Sequence, residues 1–133
     1  MVMVQSLANV FNSLSDEQSV LLFTTIAMRS IDSTELRSKI SISPKQYYSR
    51  LSRMVRVGLI KRRNGKLIVT TFGKIVYDLQ KVAQDACNIQ WKLKVLDSVE
   101  ASDVLPKEER LKLLDSLIEN TQLREILLQG IYE

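Results

Sequence analysis

Residues 36–77 hold eleven lysines and arginines and not one carboxylate. Four of these cations, Lys61, Arg62, Arg63 and Lys66, crowd around an Asn-Gly pair at positions 64 and 65. Like charges on so short a turn repel one another, and nothing acidic nearby in sequence relieves them. Such a segment needs counterions or a polyanionic partner. The chemistry it suits is phosphate recognition, in which guanidinium and ammonium groups displace the counterions condensed on a nucleic acid.

The flanks differ sharply. Residues 1–35 carry one basic and four acidic groups, net −3, and residues 78–133 carry seven and eleven, net −4. With +11 in the middle the sum is the +4 of the whole chain. Other chemistries find little support. There is no histidine, so the usual metal ligand and general base are missing. No Gly-rich phosphate loop, HExxH, CxxC or Ser-His pair occurs, and Glu108 and Glu109 diverge on a helix. Cys87 cannot form an internal disulfide, fits a reducing cytoplasm, and with Asp85 beside it reads as a passive small residue. Trp91 reads as packing. No enzyme activity, cofactor or metal is expected.

The elements that must position the basic cluster are legible. At 133 residues, 45% of them hydrophobic, the chain suits one packed core with an added arm. Four Gly, two Pro and 6% aromatics favour helices. Apolar runs are far too short to span a bilayer, and the N-terminus lacks the pattern of a signal peptide. Val4, Leu7, Ala8 and Phe11 predict a first helix over 4–13 with one apolar face. Ser15 to Gln18 forms a capping box for a helix over about 16–30. Asp32 to Glu35 caps a short helix to Lys39. Ser43-Pro44-Lys45-Gln46 opens a further helix that runs to Val57 and stops at Gly58 in a left-handed C′ position. Its apolar side is Tyr47, Leu51, Met54 and Val55. Two short strands about Asn64-Gly65 predict a hairpin with a type I′ turn. One long helix follows over 71–99, then helices beginning at Pro106 and Gln122, the last ending at Gly130. The fold class is mainly α with a small β-hairpin.

The order helix, helix, turn, helix, hairpin, together with SPKQYYSRL, LSRMVRVGLI, KRRNGKLIVT and the sequel TFGK, resembles the winged helix-turn-helix of ArsR/MarR-type regulators. The likeness spans roughly residues 15–80 and is similar above all to small archaeal winged-helix regulators. It implies a transcriptional regulator that binds double-stranded DNA, with helix 44–57 in the major groove. Lys45, Gln46, Tyr48, Ser49, Arg50 and Arg53 would then face DNA. Gln46 and one of Arg50 or Arg53 are the candidates for reading base edges. Arg62, Arg63 and Lys66, aimed outward by the turn at Asn64, would meet phosphates or the minor groove.

Residues 1–74 are expected to form the DNA-binding domain and 75–133 a helical arm. Ile75, Leu79, Val82, Ala86, Ile89, Leu93 and Leu96 are spaced four and three apart, a heptad seam of coiled-coil type. The seam either pairs with a second copy, giving a homodimer, or lies back on this chain's own helices. The homodimer is the expectation. A protein-interaction module of a larger transcription or chromatin assembly, docking through the leucine-rich C-terminal segment, is the alternative.

Overall fold

A computed structural model describes residues 6–102 and 104–129; Val4 and Gly130 of the expected elements lie outside them. The chain divides into two compact units between Asp78 and Leu79.

In the first unit the order is α1 (Leu7–Ser13), α2 (Glu17–Met28), β1 (Ile31–Asp32), α3 (Ser33–Lys39), α4 (Pro44–Arg56), β2 (Ile60–Arg63), β3 (Lys66–Val69) and the start of α5 (Thr71–Asn88). The strands make one antiparallel sheet in the order β1-β3-β2. The two-residue strand β1 was not anticipated. It pairs Ile31 with Leu67 and Asp32 with Lys66, and the burial of Ile31 and Leu67 is what earns it a place. The core gathers Leu22, Phe23 and Ile26 of α2, Leu36 of α3, Tyr47, Leu51 and Met54 of α4, and Leu59, Ile60 and Leu67 from the sheet.

Local chemistry explains the helix ends. Ser43 accepts from the Gln46 amide at 3.3 Å, with Pro44 at N1. Asp32 accepts from Thr34 at 2.8 Å. At α2 the cap is Asp16, not Ser15: its carboxylate accepts from Ser19 N at 2.8 Å. Its negative charge also interacts favourably with the positive end of the helix. In α1 the apolar face is reversed from expectation. Leu7 and Phe11 are exposed, whereas Val10 and Ser13 are buried. Ser13 can turn inward because its hydroxyl donates to Val10 O at 2.6 Å.

The junction after the sheet depends on two residues. Thr70 donates its hydroxyl to Gly58 O and accepts from Gly73 N at 2.9 Å, so it caps α5 and ties it to the end of α4. Gly73 brings α5 against the strand: a Cβ there would sit 2.1 Å from Leu59 O.

The second unit contains the rest of α5, then α6 (Gln90–Ser102), α7 (Lys107–Leu117) and α8 (Thr121–Gln129). The single helix expected over 71–99 is interrupted at Ile89, where Lys92 N bonds Ile89 O in a tightened turn. Cys87 and Asn88, both weak helix formers, precede the break. Leu114, Ile118 and Leu123 form a small core, against which Val82, Ala86, Ile89, Leu93 and Leu96 pack. Five of the seven seam residues are thus covered by this chain's own helices. Only Ile75 and Leu79 remain exposed, at 60% and 61%.

Candidate nucleic-acid interface

The periodicity of α4 decides which side chains it presents. Tyr47, Leu51 and Met54 recur at i, i+4 and i+7 and are fully buried. Diametrically opposite lies a row at Lys45, Ser49, Ser52 and Arg56, all exposed. Gln46, Arg50 and Arg53 form one flank of that outward face, and Tyr48 and Val55 the other. Val55, expected in the core, is 40% exposed because it falls one residue past the centre of the buried stripe. Ser52 was missed as an outward residue, although its spacing of seven from Lys45 was available to find it.

Tyr47 anchors this helix. Its ring is wholly buried, its hydroxyl donates to Ser33 O at 3.0 Å, and Ser33 Oγ lies 2.8 Å away. Burial pushes the phenol's pKa up, against the Ser33 hydrogen bond and the charges of Arg62 and Arg37. Tyr48 stands edge-on to Tyr47, ring centroids 5.1 Å apart, and stays half exposed.

Arg50 is placed differently from the other expected DNA contacts. Its Nε donates to Asp16 Oδ1 at 3.2 Å, and its Nη1 donates to Gln46 O at 3.3 Å. Only 18% of the side chain is exposed. Burial raises the Asp16 pKa, but the amide of Ser19 and the guanidinium of Arg50 outweigh it and hold the carboxyl below its usual value. Of the two arginines considered for base reading, only Arg53 has a free head group. Arg50 and Asp16 lie 34 residues apart in sequence, beyond any local signal.

The hairpin has the expected turn. Asn64 and Gly65 have φ of 51° and 77°, the pair of positive values that a type I′ turn requires. Its register sorts the cations onto two faces. Arg63 stands opposite Lys66 across the strands, and Arg62 opposite Leu67. Arg63 and Lys66 are therefore like charges in direct juxtaposition, a destabilising pair in isolation. Arg62 instead shares the face of the buried Leu67, the side from which its charge acts on Tyr47. Lys66 also has Asp32 as its register neighbour in β1, but the two form no ion pair, and the Asp32 carboxylate accepts from the Thr34 amide. Among the described residues, Lys45, Arg53, Arg62, Arg63 and Lys66 make no ion pair. Of the cations expected to meet DNA, these five are thus left uncompensated on one packed unit, and Lys61 in β2 is likewise unpaired among the described residues.

This is a winged helix. The helices α2, α3 and α4, the short strand between the first two and the hairpin after the third supply its parts in order. A protein from Porphyromonas gingivalis W83, described as a transcriptional regulator of the MarR family, superposes with a TM-score of 0.52 at 19% identity. The match covers 65% of this chain and 94% of that one. An ArsR-like transcriptional regulator from Rhodococcus sp. RHA1 matches at a TM-score of 0.45 and 18% identity, over 74% of this chain and 93% of that one. No family model and no curated protein matches the sequence. Among the described residues no group of histidines, cysteines and carboxylates could hold a metal ion, and no helix is long and apolar enough to cross a membrane.

Proposed function

We propose that this chain is a DNA-binding transcriptional regulator of the winged-helix type. The observation that carries the reading is the set of five unpaired cations on α4 and the hairpin, set within a 42-residue segment that contains no carboxylate. A solvated surface has no use for like charges held opposite one another at Arg63 and Lys66. Beside a phosphate backbone the same arrangement becomes favourable, because each contact releases a counterion.

In this reading α4 enters the major groove, with Lys45 and Ser49 leading and Gln46 and Arg53 as the base readers. Tyr48 packs along the backbone. Arg62, Arg63 and Lys66 engage flanking phosphates, and Asn64 shapes the tip that aims them. Gln46→Ala or Arg53→Ala relaxes sequence preference, whereas Arg62→Ala and Arg63→Ala weaken all sequences alike. Competition titrations against a selected site and a random duplex measure both. Equal loss of preference in the two sets would refute this division of roles.

The proposal includes a homodimer on a two-fold site, with half-sites about one helical turn apart, roughly 34–36 Å. Exposed Ile75 and Leu79 support a contact with a second copy, whereas Val82, Ala86, Ile89, Leu93 and Leu96 are already occupied within the chain. Sedimentation equilibrium tests this: a monomer mass independent of concentration would remove the dimer from the account.

A further inference from the structure

Arg50 sits in line with Gln46 and Arg53, at i, i+4 and i+7 along one flank of α4, yet its guanidinium is taken up by Asp16. Asp16 is fixed independently of Arg50, since its carboxylate already accepts from the Ser19 amide at the start of α2. The oxygen that meets Arg50 is therefore held in place before Arg50 arrives. It offers the guanidinium what a DNA phosphate would offer, an anionic oxygen at hydrogen-bonding distance. The pair lies at the rim of the unit, with 40% of the Asp16 side chain exposed. Arg50 is the more covered partner, at 18% exposed, so the pair opens to water on its carboxylate side, and there a closely seated phosphate can compete for the guanidinium.

We propose that Asp16 is a specificity-determining residue of the DNA-binding face, whose carboxylate occupies Arg50 as an internal substitute for phosphate. Arg50 then adds nothing to loose, non-specific binding along the backbone. A duplex seated deeply enough on α4 displaces Asp16 and recruits Arg50 as an additional contact. The pair thus lowers affinity for random DNA while sparing a closely fitting site. This inference rests on the DNA-binding reading above.

The test is the slope of log affinity against log salt for a random labelled duplex, measured by fluorescence anisotropy on the full chain. Asp16→Asn is the informative variant, because asparagine caps a helix about as well as aspartate and the fold should survive. Melting curves verify that it does. Releasing Arg50 adds one phosphate contact, steepening the slope by about 0.9 and tightening binding about 3-fold more at 50 mM than at 200 mM salt. Combining Asp16→Asn with Arg50→Gln separates this from the mere loss of a negative charge: the double variant should show no gain over Arg50→Gln alone. A gain that persists without Arg50 would overturn the proposal, as would an unchanged slope in Asp16→Asn. A wild-type chain whose binding ignores salt would instead defeat the DNA-binding reading itself, and the inference with it.

Discussion

Gly73→Ala is expected to unfold the junction between the hairpin and α5. An alanine Cβ would lie 2.1 Å from Leu59 O and 2.7 Å from Val69 Cγ2. Ordinary carbon contacts begin near 3.4 Å, so the backbone must part by more than 1 Å. The nearer neighbour is a main-chain carbonyl that cannot rotate away. That carbonyl also accepts from Thr70 N at 3.0 Å, a bond the shift would strain. Overpacking of this kind costs about 3 kcal/mol at the upper end of its usual range. The strained hydrogen bond adds about 1 kcal/mol, and the better helix propensity of alanine returns about 1 kcal/mol. The net is a destabilisation of about 3 kcal/mol, or a fall in Tm of roughly 10 °C for a chain of this size. Thermal unfolding followed by circular dichroism at 222 nm measures it. Gly65→Ala is the comparison: its Cβ meets nothing within 4 Å, leaving only the left-handed backbone at φ +77°. That costs about 1–2 kcal/mol. A Gly73→Ala protein melting within 2 °C of wild type, or above Gly65→Ala, would refute the close approach of α5 to Leu59.

Other expectations concern the anchor of α4, the small second core and acid stability. Tyr47→Phe removes a hydroxyl that serves Ser33 twice and should lower stability by about 1 kcal/mol in urea titrations. Ile118→Ala empties a fully buried position among Leu114 and Leu123, at a cost of about 2–5 kcal/mol; it should shorten the protection of α7 and α8 amides in hydrogen exchange. Asp16 has a folded pKa below its ordinary value of 3.8. Its contribution is therefore complete above the unfolded pKa and disappears as pH falls through the folded one. Asp16→Asn should flatten the acid limb of a Tm-against-pH curve below about pH 4 and leave the neutral region's slope as it was.

Much of the winged-helix unit was legible because its signals are local. Ser43-Pro44, Gly58 and Asn64-Gly65 each satisfy a backbone requirement of their own neighbourhood, and the structure uses all of them as read. The passage from the end of KRRNGKLIVT into TFGK has a physical basis too, in the Thr70 cap and the Gly73 approach. What escaped was set at a distance. Strand β1 has two residues and exists only because Leu67 arrives beside Ile31. The inward face of α1 is chosen by the core it meets, not by its own apolar count. The heptad seam was real as a periodicity, but spacing cannot say whether the covering helices belong to the same chain. Here α7 and α8 cover most of it. Arg50 looked like its neighbours in sequence and is set apart by a carboxylate from another helix.

The central claim is that α4 and the hairpin bind DNA through five uncompensated cations. Fluorescence anisotropy of the purified chain against a random duplex and a pool of promoter-containing genomic fragments, between 50 and 200 mM salt, tests it most directly. Five phosphate contacts give a slope of about −4.5, a loss of affinity of roughly 500-fold over that range. The account predicts such a slope, with some fragments retained well above the random duplex. No binding at 50 mM salt, or binding indifferent to salt, would contradict it and return the basic face to a protein partner.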